Sequence, residues 1–228
     1  MSSLFEHCTL TGLESLSITK SPSETEIWHF PWNVAALRSL TLRSSCSLTS
    51  LHLRYVPIAD VDFISLLQLT PALTSLHIAE SFPDTYYIND RVPTNVIVTP
   101  YALKRLSLHH EPVEDTHSRA SPPGMLIPRL HNLVLDLHGA DLDPKALVGA
   151  IVSRCPGMSR SGGRMGSESD SLGSHPCLRS IKILVTTRGD TSAFDILLSL
   201  ECFRDVGMKV NIDVAHEDRE PEGSYPSS

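Results

Sequence analysis

The sequence lacks the features that mark secreted, membrane-spanning and zinc-stabilised proteins. Its five cysteines are odd in number and include no Cys-x-x-Cys pair, which argues against a disulfide framework and a structural zinc site. No apolar run approaches the ~18 residues that a membrane-spanning helix needs. The first residues contain neither a basic start nor the apolar core of a secretory signal. These absences predict a cytoplasmic or nuclear protein with reduced thiols.

Positive charge is also scarce. The formal net charge is −7, so the chain as a whole is not suited to neutralising nucleic-acid phosphates or an anionic membrane. Catalytic signatures are missing as well, because there is no Gly-x-Ser-x-Gly elbow and the glycines at Gly162 and Gly163 lie in a Gly/Ser-rich stretch. We therefore expect a monomeric binding protein that is not an enzyme, uses no cofactor, and binds neither nucleic acid nor membrane.

A repeated leucine pattern is what the sequence does contain. Leu-x-x-Leu-x-Leu, with Ile allowed, occurs seven times, starting at Leu13, Leu37, Leu48, Leu73, Leu103, Leu130 and Leu178. The Leu-x-Leu alternation puts two apolar side chains on one face of a strand. The first Leu of the pattern enters the same core from the bend before the strand. Stacked units of this kind predict a curved parallel sheet backed by helices.

Several intervals between the strands contain signals for a helical crossover. Asp60 precedes a helical period that extends to Thr70, and Asp143 with Pro144 is typical of a helix start. A further helix is predicted from Ser192 to Gly207, followed by a last strand over Met208–Val214.

Other intervals are irregular. The 11 residues from Leu37 to Leu48 leave no room for a crossover helix, so either one of the two matches is not a full repeat or a crossover has been lost. Residues 80–100 and 110–128 contain prolines and no helical period, which predicts loops.

The whole chain is therefore predicted to be an α/β leucine-rich-repeat solenoid of six to seven strands. The repeat domain spans residues 13–214, with a flexible insertion at about 159–175. Residues 1–12 are interpreted as an N-terminal cap or remnant. Residues 215–228 are polar and predicted to form a disordered tail.

The outward-facing positions of the pattern define a candidate binding surface. The third, fifth and seventh positions face away from the core, and near the middle of the array they would present Arg43, His52, Arg54, His77, Arg105 and His109. On an acidic chain, this predicts a docking site for an acidic or phosphorylated partner segment. The alternative is a solvated sheet face without a binding role.

His52 and His77 occupy the same pattern position in neighbouring repeats, so two imidazoles could share a metal ion. The nearest acid on that face, Asp136, is placed two repeats away by the pattern. A metal-dependent hydrolase is therefore kept only as an alternative function. We predict neither metal ligands nor catalytic residues.

The order of these motifs is similar to a known family. The stretches that carry the likeness are His29–Leu42, Ser47–Ile78, Cys177–Leu184 and Phe203–Ile212. The chain resembles the leucine-rich-repeat region of F-box proteins of mushroom-forming (basidiomycete-type) fungi over most of residues 13–214. The stretch Ser47–Ile78 is the most specific part of the likeness.

This resemblance implies a role in ubiquitination. Family members carry an N-terminal F-box that binds the adaptor of a cullin-type ubiquitin ligase, and their repeats select the substrate. No Leu-Pro-x-Glu segment precedes Leu13, so we expect the F-box itself to be absent from this sequence. The resemblance thus implies a substrate-recognition module. The alternative is a free-standing scaffold, or a truncated fragment without a ligase role.

Overall fold

A six-stranded parallel sheet organises the chain, with the strands adjacent in sequence order. The computed structural model describes residues 5, 7–20, 34–56, 58–80, 97–107, 126–139, 142–155, 178–187 and 191–216. The strands are β1 (Ser15–Thr19), β2 (Ser50–Arg54), β3 (Ser75–Ala79), β4 (Asn132–His138), β5 (Ser180–Thr187) and β6 (Lys209–His216). The predicted α/β class, with a parallel sheet backed by helices, is confirmed.

Helices lie between the strands. They are α1 (Val34–Ser44), α2 (Asp60–Gln68), α3 (Pro100–Leu106), α4 (Pro144–Ser153) and a 3-10 helix (Ser192–Val206). Each contacts the next along the chain, and crossovers that all advance in one direction leave their helices on the same face of the sheet. The helices therefore form one layer and leave the other face of the sheet uncovered by them.

The strands pair in the register that the leucine pattern implies. The carbonyl oxygen of Glu14, in the bend before β1, accepts hydrogen bonds from Thr49 N and Ser50 N at 2.8 and 3.0 Å. The same pair of bonds recurs at the carbonyl oxygens of Thr49, Thr74 and His131, each one strand further along. Equivalent pattern positions consequently lie side by side across the sheet.

The core lies between the sheet and the helix layer. Leu51 and Leu53 of β2, with Leu76 and Ile78 of β3, are fully buried at the fourth and sixth pattern positions. Phe63 of α2 packs into the same cluster. Burying one such side chain contributes roughly 1.5–3 kcal/mol, so the stacked repeats supply most of the driving force for folding.

Two of the seven pattern matches are helices, and their assignment to strands is wrong. In α1, Leu37 and Leu40 are buried but Leu42 is 69% exposed. A strand would turn Leu40 and Leu42 to the same face, whereas a helix groups residues three apart and turns Leu42 away. Residues Leu103 and Leu106 of α3 are likewise both buried and three apart.

The helix at Leu37 explains the short interval before Leu48. This segment is the crossover between β1 and β2, so the first of the two explanations is right: the match is not a repeat of its own. The sheet accordingly has six strands, the low end of the predicted range.

The predicted helix termini are partly right. Asp143 does cap α4, since its Oδ1 accepts hydrogen bonds from Lys145 N and Ala146 N at 3.0 and 3.1 Å. Gly207 ends the 3-10 helix in the left-handed conformation, with φ 87°. The capping role predicted for Asp60 is wrong, because it is the first residue of α2. Its Oδ2 instead accepts a hydrogen bond from the Thr99 hydroxyl at 3.0 Å, which links the starts of α2 and α3.

A buried carboxylate fixes the chain after β3. Glu80 is only 5% exposed, and its Oε1 accepts hydrogen bonds from Ile97 N and Val98 N, both at 2.9 Å. A buried polar group is tolerated where hydrogen bonds satisfy it. Glu80 therefore brings the two ends of residues 81–96 together at the carboxyl end of the sheet.

A buried guanidinium has the same function after α4. Arg154 is 4% exposed and donates hydrogen bonds to the carbonyl oxygens of Leu106, Leu126 and Ile127 at 2.8, 2.9 and 3.1 Å. Burial lowers its pKa to about 10, so it remains cationic at neutral pH. Arg154 thus fastens the chain on both sides of residues 108–125.

Other predictions fall at or beyond the edge of the described residues. Residues 81–96, 108–125 and the insertion at 159–175 lie outside them. Strand β6 ends at His216, two residues into the predicted tail, and the remainder of that tail is not described. Within the described ranges, the chain contains no helix that is both long and apolar enough to cross a membrane.

The contrast between Leu76 and Leu42 can be tested by truncation. Leu76→Ala should lower the free energy of unfolding by about 2–5 kcal/mol, because it leaves a cavity in the core. Leu42→Ala should change it by less than about 0.5 kcal/mol, because the side chain is exposed on a helix. Urea unfolding followed by circular dichroism measures both. Equal losses would place Leu42 in the core and contradict the helix assignment.

Candidate functional site: the open face of the sheet

The face of the sheet opposite the helices, called here the open face, brings two histidines together. His52 on β2 and His77 on β3 are paired residues in the parallel register. Their ring centroids are 5.3 Å apart and the rings meet edge to face at 65°. The hydroxyl of Ser50 lies 3.3 Å from His52 Nε2. The repeat spacing thus creates an imidazole pair from residues 25 positions apart.

Cationic side chains surround this pair. Arg54 follows His52 by two residues on the same face, is exposed, and lies 5.4 Å from the ring centroid of Tyr55, which is within cation–π range. Burial lowers the pKa of His77, and the neighbouring His52 and Arg54 lower it further. His77 is therefore mainly neutral at pH 7, and an anion bound beside it would favour its protonated form.

A carboxylate lies beside the cations. Asp136 on β4 is paired with the fully buried Ala79 of β3, and its Oδ1 is buried with no hydrogen-bond partner among the described residues. Burial raises the pKa of Asp136, although His77, Arg54 and Lys182 act in the opposite direction. Desolvation therefore outweighs the neighbouring cations in setting the pKa of Asp136.

Three of the six predicted contact residues meet on this face, namely His52, Arg54 and His77. Arg43 and Arg105 do not, because the segments that carry them are helices α1 and α3 in the other layer. Arg43 instead donates hydrogen bonds to the carbonyl oxygens of Phe5 and Cys8 and to Ser39 Oγ. His109 lies outside the described residues.

Two residues of the open face were not predicted as contacts, although the pattern contains them. Lys182 on β5 and Asp136 on β4 stand at its fifth and seventh positions. Counting Leu103 as a strand placed Asp136 two repeats from His77. Because that segment is helix α3, β3 and β4 are direct neighbours. Thr99 followed by Pro100 at the first helical position is the sequence signal for this helix, and it would have brought these residues together.

The open face offers charges and hydrogen-bonding groups for binding. Within the described part of the chain, no group of three or more His, Cys, Asp or Glu side chains is arranged to hold a metal ion. His52 and His77 supply two imidazoles, and Asp136 is one strand beyond His77. An anion held by the cations is the ligand that suits this arrangement.

Comparison with protein-family models, with curated proteins and with solved structures finds no match to this chain. The assignment of a function therefore depends on the residues and geometry of the open face.

The raised pKa of Asp136 predicts the effect of removing its charge. A carboxyl group whose pKa is higher in the folded chain contributes most stability below the unfolded value of 3.8, and this contribution is lost as pH rises through the folded pKa. Asp136→Asn should therefore raise the free energy of unfolding at pH 7, by no more than about 1 kcal/mol because the side chain is only half-buried. At pH 3 the gain should vanish.

Thermal unfolding at the two pH values measures this difference. The matched control is Asp213→Asn, which removes an exposed carboxylate from β6. The control should change the melting temperature little at either pH. A loss of stability in Asp136→Asn at pH 7 would show that the Asp136 carboxylate is stabilised in the folded chain.

Proposed function

We propose that the chain is a leucine-rich-repeat solenoid that binds a segment of a partner protein on its open face. The in-register stacking of similar units and the single helix layer support the solenoid. Repeat proteins of this kind present one extended sheet surface that is not covered by their own helices. Such a surface suits recognition of an extended peptide better than it suits enclosing a small molecule.

The partner segment is acidic or phosphorylated. The observation that carries this proposal is the meeting of His52, Arg54 and His77 on two adjacent strands, on a chain whose net charge is −7. An anionic side chain placed there gains a charge-assisted hydrogen bond from Arg54 and favours protonation of His77. Lys182, exposed on β5, extends the positive surface across the sheet.

Selection of a ubiquitination substrate is the biological role that we propose for this binding. The resemblance to the repeat region of fungal F-box proteins supports it, since those repeats are understood to select substrates. A free-standing scaffold that binds the same kind of segment without a ligase is the alternative role. Both roles use the same open face and differ only in what is attached to it.

Charge reversal at Arg54 tests the binding surface. Phosphorylated and acidic peptides displayed on beads would first be selected for binding to the full chain. Arg54→Glu should then weaken binding of the selected peptide by about ten-fold or more, because it replaces attraction with repulsion. A ten-fold change in Kd equals ~1.4 kcal/mol. Fluorescence anisotropy titrations measure the change in Kd.

Lys104→Glu provides the matched control, since it reverses an exposed charge on α3 in the helix layer and alters the net charge equally. It should change the Kd by less than about two-fold. Equal weakening by both variants would mean that the net charge of the chain, and not the open face, determines binding.

The ligase role is tested by joining an F-box to the chain. An F-box fused before residue 1 should recruit a cullin adaptor and direct ubiquitination of a reporter that carries the selected peptide. The same fusion with Arg54→Glu should lower the rate about ten-fold, in line with its effect on Kd. Binding without any ubiquitination of the reporter would favour the scaffold role.

A further inference from the structure

We propose that the open face binds two phosphoryl groups on one extended partner segment, the second of them in a groove at β5 and β6. This inference rests on the proposed function and makes it more specific. The first phosphoryl group contacts the cluster of His52, Arg54 and His77. The second contacts Lys182 and Lys209, and the segment between the two crosses β4.

The groove has a volume of 480 Å³ and lies at the start of the last two strands. Its polar lining includes Ser180 and Lys182 of β5 together with Lys209 and Asn211 of β6. In the parallel register Ser180 is paired with Lys209, and Lys182 with Asn211. The two lysines therefore lie diagonally across two strands that are ~4.8 Å apart, with a hydroxyl and an amide at the other corners.

This arrangement suits a phosphoryl group. A phosphoserine carries a charge of about −1.5 to −2 and three acceptor oxygens at neutral pH, which two ammonium groups and two neutral donors complement. Both lysines are exposed, and neither forms an ion pair within the part of the chain that the structure describes. Their charges are consequently available to a ligand.

Arg204 also lines the groove, but its guanidinium has structural partners. Its Nε donates to the carbonyl oxygen of Val210 at 3.1 Å, and a terminal nitrogen lies 3.1 Å from a carboxylate oxygen of Glu201. Arg204 thus holds the 3-10 helix against β6, and Glu201 offsets its charge. The lysines are the groups that distinguish this groove as an anion site.

The strand spacing fixes the distance between the two sites. From the middle of β2 and β3 to the middle of β5 and β6 is three strand spacings, or ~14 Å. An extended peptide advances about 3.3–3.6 Å per residue, so the two phosphoryl groups are expected about four residues apart. Asp136 lies between them on β4.

Synthetic peptides with phosphoserines at defined spacings test the inference. Fluorescence anisotropy at pH 7 would compare one phosphoserine with two phosphoserines placed two, four or eight residues apart on an otherwise uncharged background. The peptide with phosphoserines four residues apart should bind at least ten-fold tighter than the peptide with a single phosphoserine. The peptides with spacings two and eight should bind no more than two-fold tighter than the single phosphoserine, which is the gain expected from having two equivalent anions.

Variants in the groove should remove only the extra affinity that the second phosphoserine provides. The double variant Lys182→Glu with Lys209→Glu should bind the doubly and singly phosphorylated peptides equally, while the singly phosphorylated peptide remains dependent on Arg54. Lys209→Arg should retain most of the gain. Because both lysines are exposed, thermal unfolding of every variant should match the parent chain, which separates loss of binding from loss of fold.

The possible failures are distinguishable. If a single phosphoserine binds in an Arg54-dependent way and a second adds nothing at any spacing, the two-site inference is overturned while the proposed function stands. If glutamates at spacing four bind as tightly as phosphoserines, the phosphoryl assignment is overturned. If no anionic peptide binds at all, the proposed partner chemistry fails together with the inference.

Discussion

The parallel register of the six strands is the constraint on which both the core and the candidate site depend. It is set where the carbonyl oxygen before each of the first four strands accepts two hydrogen bonds from the next repeat, as Glu14 does from Thr49 and Ser50. Because side chains alternate along a strand, a slip by one residue would turn Leu76 to solvent and His77 into the core. The same pairing that buries the leucines therefore places His52 beside His77. Core and open face are two consequences of one alignment.

The buried side chains of Glu80 and Arg154 help to maintain this register across the long segments between strands. Strands β3 and β4 are direct neighbours although more than fifty residues separate their starts. Closing a longer loop adds little entropy cost, but the ends of the excursion must be held at the sheet. Glu80 and Arg154 do this through hydrogen bonds to backbone atoms, which satisfy charges that would otherwise oppose burial. The insertions are thereby kept from disturbing the strand order.

The leucine pattern predicts the strands well because it indicates which side chains share a face. It fails where a strand and a helix give the same spacing of leucines. A Leu-x-x-Leu spacing enters the core equally well from the bend before a strand or from one side of a helix. Only the third apolar residue separates the cases, and in α1 that residue, Leu42, is exposed. The site was partly predictable for the same reason. His52, Arg54 and His77 belong to true repeats, whereas Arg43 and Arg105 lie in helices. Counting one helix as a strand placed Asp136 too far from His77.

The surroundings of His77 and Asp136 on the open face disfavour the charged form of each side chain in the folded chain. Burial lowers the pKa of His77 and raises that of Asp136, so each group is held in surroundings that oppose its charged form. For His77 this reduces stability as pH falls below 6.5, and for Asp136 it reduces stability as pH rises above 3.8. Side chains kept against such penalties are candidates for binding. An anion bound beside His77 would offset the penalty on its protonated form.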